Sequence, residues 1–252
     1  MDQNDNTGFW IVTGAASGIG AAVVKAVRHS GVNVLALDVD EAKGSALAEE
    51  TGALYRVLDV GDLDQWQQFA DYLASESARL GSPTCIHLNA GIQIAPPDVP
   101  LSEYQLEAAT LDRYRRMMSV NVDGVVFGLQ TLLPLLAPGA AIVVTASLAG
   151  VTPYAIDPLY AMSKHAVVGL VRSLAPELDR RGIRIQALCP GAVATEIIPH
   201  AQKTNDALFM APEDLAKDVI ELMEEPESGK SWVRLRADKP RYVIRAPGDK
   251  TV

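Results

Sequence analysis

The sequence predicts an α/β fold: a doubly wound parallel sheet with helices on both faces. Three observations carry that expectation. Short apolar runs alternate with longer amphipathic stretches along the chain. The short runs are almost continuously apolar, as strands covered on both faces are. A glycine-rich turn joins the first run to the first amphipathic stretch, a junction typical of ligand-binding parallel sheets.

Taken in order, Phe9–Thr13 reads as a strand and Gly18–Ser30 as the helix that follows it. Asn33–Asp38 is the second strand, built on Val34-Leu35-Ala36-Leu37, and Asp40–Glu50 its helix. Leu54–Leu58 is a strand, Asp62–Arg79 an amphipathic helix, and Thr84–Leu88 the fourth strand. Leu111–Leu136 is a long helix stopped near Pro138-Gly139, before a strand at Ala140–Ala146. Pro158–Arg180 is a second long helix ending before Gly182, followed by a strand at Ile183–Cys189 and a shorter helix at Pro212–Glu224. With no repeat, low-complexity tract or linker, residues 9–252 are expected to form one domain behind a polar, frayed start at 1–8. Two segments break the alternation: 93–109, with Pro96, Pro97 and Pro100, and 195–211, with Pro199, His200, Phe209 and Met210. Both follow strand ends, where doubly wound sheets bind ligands, so both are expected to shape a substrate site.

The bulk properties exclude several classes. The 252 residues carry a net charge of −9, which argues against sequence-independent nucleic-acid binding. No apolar run reads as long enough to span a bilayer, and the start Met1-Asp2-Gln3-Asn4-Asp5-Asn6 has no signal-peptide pattern, so the cytoplasm is expected. Cys85 and Cys189 lie in apolar runs and read as buried free thiols. His29, His87, His165 and His200 show no metal-ligand spacing: His29 ends a helix, His87 lies in a core strand, His165 points off the site, and His200 alone is placed to touch substrate. Ser228-Gly229-Lys230-Ser231 lacks the earlier glycine of a P-loop, and no Gly-x-Ser-x-Gly elbow is present. Arg113, Arg115 and Arg116 read as a solvated helix face, or as a dock for an acidic carrier.

Three features carry chemistry. Gly14-Ala15-Ala16-Ser17-Gly18-Ile19-Gly20 lets the backbone approach a pyrophosphate and offers it the free N–H groups of a helix N-terminus. Asp38, 18 residues after Gly20, ends the second strand, where a carboxylate accepts hydrogen bonds from a ribose diol and repels a 2′-phosphate. No cation follows until Lys43, so NAD is expected rather than NADP; the alternative for Asp38 is a helix N-cap, a role open to Asp40 as well. Tyr160 and Lys164, four apart in a helix, share one face. A cation beside a phenol favours the phenolate and equips it as a general acid/base.

Together, turn, acidic strand end and Tyr-x-x-x-Lys resemble the short-chain dehydrogenase/reductase family, over roughly Phe9–Thr195, about three quarters of the chain. Asp59-Val60 resembles the family's adenine-contacting pair, and Asn89-Ala90-Gly91 its Asn-Ala-Gly motif. Asn121 aligns with its catalytic asparagine, and Ser147, 13 residues before Tyr160, with its catalytic serine. Pro190-Gly191, Val193 and Thr195 match the segment that closes over the nicotinamide. The resemblance implies a Rossmann-like fold, NAD as cofactor, and a secondary alcohol or ketone as substrate. Tyr160 then transfers the proton, Lys164 lowers its pKa and binds the nicotinamide ribose, and Ser147 holds the substrate oxygen. Asn121 distorts its helix and holds a water linked to Lys164. Tyr160 and Lys164 thus also contact cofactor, beside Gly14, Ser17, Gly18, Ile19, Gly20 and Asp38.

The tail departs from the tetrameric pattern of the family, with Ser231–Arg236 and Lys239–Ile244 in place of a Val-Asp-Gly-Gly-like turn. It is more similar to the prostaglandin dehydrogenase subgroup. The helices at 111–136 and 158–180 look like the family's dimer-forming pair, so a homodimer is expected, with a tetramer as the alternative. Ala149, Tyr154, Ile156, Ala192, Ile197, Ile198, Phe209 and Met210 are the candidate pocket residues and suit an apolar, medium-sized, cyclic or aromatic molecule. A carrier-linked 3-oxoacyl reductase and a non-catalytic NAD-sensing protein on the same fold remain the other readings.

Overall fold

The structure is a computed structural model and describes residues 8–93, 106–197 and 209–245. The frayed start, Pro96, Pro97, Pro100, Ile198, Pro199 and His200 fall outside these residues. Eight strands form one sheet in the order β3-β2-β1-β4-β5-β6-β7-β8. They are β1 (Phe9–Thr13), β2 (Val34–Asp38), β3 (Leu54–Val57), β4 (Pro83–Leu88), β5 (Ala141–Thr145), β6 (Arg184–Pro190), β7 (Ser231–Arg234) and β8 (Tyr242–Ile244). The first seven run parallel, and β8 returns antiparallel to β7. The chain order reverses between β1 and β4, which places a crevice beyond their carboxyl ends.

Strand alternation sends side chains to two cores. Phe9, Ile11, Leu35 and Ile86 face α3 (Leu63–Leu80), α5 (Gly124–Leu132) and α6 (Pro158–Arg180). Trp10, Val12, Val34 and Ala36 face α1 (Gly18–His29), α2 (Glu41–Thr51) and α7 (Pro212–Met223). The helix starts follow from their caps: Asp40 accepts from Lys43 N, Asp62 from Asp64 N and Gln65 N, and Asp157, before Pro158, from Tyr160 N.

Five expectations need correction. The helix expected over 111–136 is three pieces: α4 (Leu111–Met118), a π-turn at Ser119–Asp123, and α5, closed by a 3₁₀ turn at Leu133–Leu135. This run is, by length and composition, long and apolar enough to cross a membrane (mean hydropathy 1.2), against the expectation that none is. Here Met117, Val120, Val125, Leu129 and Leu132 are buried in the protein's own packing. β3 is an exposed edge strand, not a covered one, because among the described residues nothing pairs beyond it in the sheet. Cys189 is buried, but Cys85 only partly so. Two strands, β7 and β8, occupy the tail, which the apolar-run reading left unassigned because they are short and charged.

Candidate active site

The glycine turn leaves β1 with Gly14 at φ +62° and Gly18 at φ +52°, a region in which an L side chain is strained. A Cβ at Gly14 would lie 2.7 Å from Ala90 Cα, so the turn and the end of β4 are in backbone contact. Asp38 locks the turn from the other side: Oδ2 accepts from Ala16 N at 2.9 Å and Oδ1 from Asp40 N at 3.0 Å. The N-cap of α2 is Asp40, which leaves Asp38 at the strand end facing the cleft. Asp59 and Val60 are held by the first turn of α3, where Gln65 Oε1 accepts from Asp59 N and the Trp66 indole N–H donates to Val60 O, both at 2.9 Å.

Asn89 ties the turn to the sheet. Its Nδ2 donates to Thr13 O and Gly14 O, and its main-chain N–H to Thr13 Oγ1. The segment after β6 closes the far wall: Gly191 N donates to Arg234 O at 2.8 Å, and Val193 bridges to Met210. Thr195 reaches back over the turn, where a Cβ on Gly18 would meet its methyl at 2.9 Å.

These walls enclose a cleft of about 870 Å³. Gly14, Ser17, Gly18, Ile19, Asp38, Asp59, Val60, Asn89, Ala90, Gly91, Ser147, Tyr160, Lys164, Pro190, Gly191, Val193 and Thr195 all line it. Gly20 lies behind the turn, where a Cβ would strike Gly14 O. Asn121 also sits behind the wall, in the π-turn; its Oδ1 accepts from Ile92 N, and its Nδ2 donates to Ile92 O and Ser163 Oγ. Its side chain thus fixes the loop after β4 rather than contacting Lys164 directly.

Tyr160 and Lys164 share the buried face of α6, 7% and 2% exposed. Lys164 Nζ donates to Thr145 O at 3.1 Å and stands 5.7 Å from the Tyr160 ring centroid. Burial pushes the ammonium down to about 8. The phenol is pushed up, chiefly by burial, then by Tyr154 and Asp157, against a hydrogen bond from Ser147 that pulls it down. The protein's own groups therefore raise Tyr160 where a lowering by Lys164 was expected, because burial dominates and the group that pulls the phenol down is Ser147.

Of the candidate pocket residues, Ala149, Tyr154, Ala192, Ile197 and Phe209 line the cleft. Ile156 instead faces solvent, and Met210 is buried in the core against α1 and α7. Sequence reasoning missed Val39, Ile92, Gln93, Leu148 and Thr152 on the cleft wall. It also misjudged Arg116, which binds Asp59 Oδ2 at 2.8 Å at the cleft edge rather than forming a plain solvated face. His165 is exposed, and its ring bonds to Ala161 O within its own helix. Among the described residues, no group of three or more His, Cys, Asp or Glu is placed to hold a metal ion.

A family profile described as short chain dehydrogenase matches residues 9–206. The chain belongs to this family. Its relatives include the 2,5-dichloro-2,5-cyclohexadiene-1,4-diol dehydrogenase of Sphingobium indicum, 34% identical over 239 residues, 92% of this chain and 91% of the relative. The (+)-borneol dehydrogenase 2 of Salvia officinalis is 30% identical, over 92% of this chain and 84% of its own. Levodione reductase of Leifsonia aquatica is 29% identical, over 92% and 88%. A crystal structure of a dehydrogenase/reductase from Sinorhizobium meliloti 1021 superposes with a TM-score of 0.78 at 26% identity, covering 92% of this chain and 95% of the other. As a short-chain dehydrogenase the chain is an oxidoreductase, and its fold implies a nicotinamide cofactor, NAD or NADP.

Proposed function

We propose that the chain interconverts a secondary alcohol and its ketone with NAD(H), with Tyr160 moving the proton. The observation that carries this reading is the placement of Ser147, Tyr160 and Lys164 on the wall of the cleft that also holds the Gly14–Gly20 turn and Asp38.

The residues fit a dinucleotide. The positive-φ glycines leave room that a Cβ would fill, and the free N–H groups at the start of α1 suit a pyrophosphate. Asp38, fixed by two backbone N–H groups, suits a ribose diol and disfavours a 2′-phosphate. The nearby cations support NAD further: Lys43 is bound to Glu196 at 2.8 Å and Arg116 to Asp59. When bound, the nicotinamide supplies the two-electron acceptor for the hydrogen on the alcohol carbon. Ser147 holds the substrate oxygen beside the Tyr160 hydroxyl. In ketone reduction the neutral phenol, favoured by burial, donates its proton to that oxygen. In oxidation the deprotonated form accepts it, and Lys164 supplies the positive charge that offsets the phenolate.

Beyond Ser147 the wall is Ile92, Leu148, Ala149, Tyr154, Ile197 and Phe209, which suits an apolar ring-bearing molecule. Relatives named for a cyclohexadienediol and for borneol support that class. The test is initial-rate reduction of NAD and of NADP with a panel of cyclic secondary alcohols. NAD reduction with NADP slower by at least about tenfold, and that ratio collapsing in Asp38→Ala, is the expected result. A preference for NADP overturns the cofactor reading, and no turnover across the panel overturns the reaction. A homodimer through the α4–α5 and α6 faces, which leave Leu111 and Met162 exposed, is the assembly we read; a monomer by light scattering contradicts it.

A further inference from the structure

His87 is fully buried at the centre of the sheet, opposite Val12 on β1 and Val143 on β5. An apolar side chain would suit that position without the cost of desolvating an imidazole. One ring nitrogen, Nδ1, has no hydrogen-bond partner among the described residues. The other, Nε2, lies 2.8 Å from Thr145 Oγ1.

The hydroxyl decides which way this bond runs. Asn89 Nδ2 donates to Thr13 O and Gly14 O, so its Oδ1 faces Thr145 and must accept. Thr145 Oγ1 gives its single proton to Asn89 Oδ1 at 3.1 Å. Its lone pair then receives Nε2–H, and His87 is the neutral Nε2–H tautomer. The same burial pushes the imidazole down to about 3, so the ring is neutral at neutral pH. A directed chain of donors thus runs from His87 through Thr145 and Asn89 to the carbonyl of Gly14. Thr145 also receives Lys164 on its main-chain oxygen, so the chain joins both ends of the cleft.

We propose that His87 is a positioning residue for the dinucleotide: its Nε2–H orients the Thr145 hydroxyl onto Asn89, and so fixes the amide that holds the glycine turn. The proposal rests on the reading that this turn binds a dinucleotide. Without the imidazole, the hydroxyl is free to rotate, Asn89 Oδ1 loses its fixed donor, and the turn loosens where the pyrophosphate would lie.

The experiment measures the Kd for NADH by fluorescence, with kcat at saturating NAD, in wild type, His87→Leu, His87→Gln, Thr145→Val and the His87→Leu/Thr145→Val double variant. His87→Leu raises Kd about tenfold with kcat within about twofold, whereas His87→Gln, whose amide N–H reaches Thr145, stays within about threefold. Thr145→Val also raises Kd about tenfold, and the double variant is no weaker, because His87 acts only through Thr145. Equal losses in His87→Leu and His87→Gln, additive losses in the double variant, or an unchanged Kd in His87→Leu overturn the proposal. If His87→Leu does not fold, Thr145→Val against Thr145→Ser decides: weakening confined to valine supports it, and equal Kd values overturn it. If wild type binds NADPH in place of NADH, the cofactor reading alone falls and the same ratios are taken with NADPH. If it binds neither, the dinucleotide reading falls and the proposal with it.

Discussion

The two ends of the cleft are built on opposite principles. The dinucleotide end is made of backbone and short polar side chains whose hydrogen bonds are satisfied: Gly14 and Gly18 at positive φ, Asp38 accepting from Ala16 and Asp40, Asn89 bonded to Thr13 and Gly14. The end proposed as catalytic is made of ionisable groups whose pKa values burial shifts, with Tyr160 raised and Lys164 lowered. The first end is shape, stable and ready for a ligand. The second holds a desolvated charge, and its chemistry comes at the expense of stability.

Removing that charge is the sharpest way to break the contrast. Lys164→Met lowers kcat about 10³-fold. It also raises stability at pH 7, on the order of 2 kcal/mol by urea denaturation, because a buried ammonium is no longer desolvated. The sign follows from the shift: Lys164 falls from 10.5 to about 8 in the folded protein, so its penalty is full below pH 8 and fades as pH rises to 10.5. Wild type therefore gains stability over that interval and Lys164→Met does not. A variant less stable than wild type at pH 7 contradicts this picture.

The opposite end responds in the opposite way. Gly14→Ala forces a Cβ toward Ala90 Cα at a strained φ, and weakens NADH binding about 30-fold, about 2 kcal/mol, with kcat at saturation nearly unchanged. A fall in kcat with an unchanged Kd would show that the turn serves the chemistry and not the binding.

An effect of similar size, but spread over two pH units, comes from the polar chain that joins the ends. His87 titrates near 3 when folded against 6.5 ordinarily. The unfolded chain takes up a proton below pH 6.5 that the folded one refuses, so stability holds above 6.5 and declines as pH falls toward 3. Between pH 7 and 5 this removes about 2 kcal/mol in wild type, and His87→Gln lacks that component. Parallel stability–pH curves for the two proteins would count against a neutral buried imidazole.

The dinucleotide end was the more legible in the sequence, because glycines and a strand-end acid act through backbone conformation and position. The extent of α6 was equally plain, from Pro158 at its start and Gly182 past its end. The catalytic end was legible only as spacing. A four-residue step from Tyr160 to Lys164 gives a shared face, but the depth of burial that reverses the expected shift of Tyr160 depends on packing by other elements. The π-turn at Asn121 leaves no mark in apolar periodicity. Ile156 and Met210 were misplaced because irregular segments have no period to say which side faces the cleft. Arg116 and His87 have partners 57 and 58 residues away, and such pairs are set by sheet register and helix docking.

The most direct test of the central claim is Tyr160→Phe, which keeps the ring and its packing and removes only the hydroxyl. NADH Kd and kcat for a cyclic secondary alcohol are measured on the same preparation at pH 8. The account predicts kcat reduced about 10³-fold or more with NADH Kd within about twofold of wild type. Retention of more than about a tenth of wild-type kcat would contradict it, since the proton would then move without the phenol.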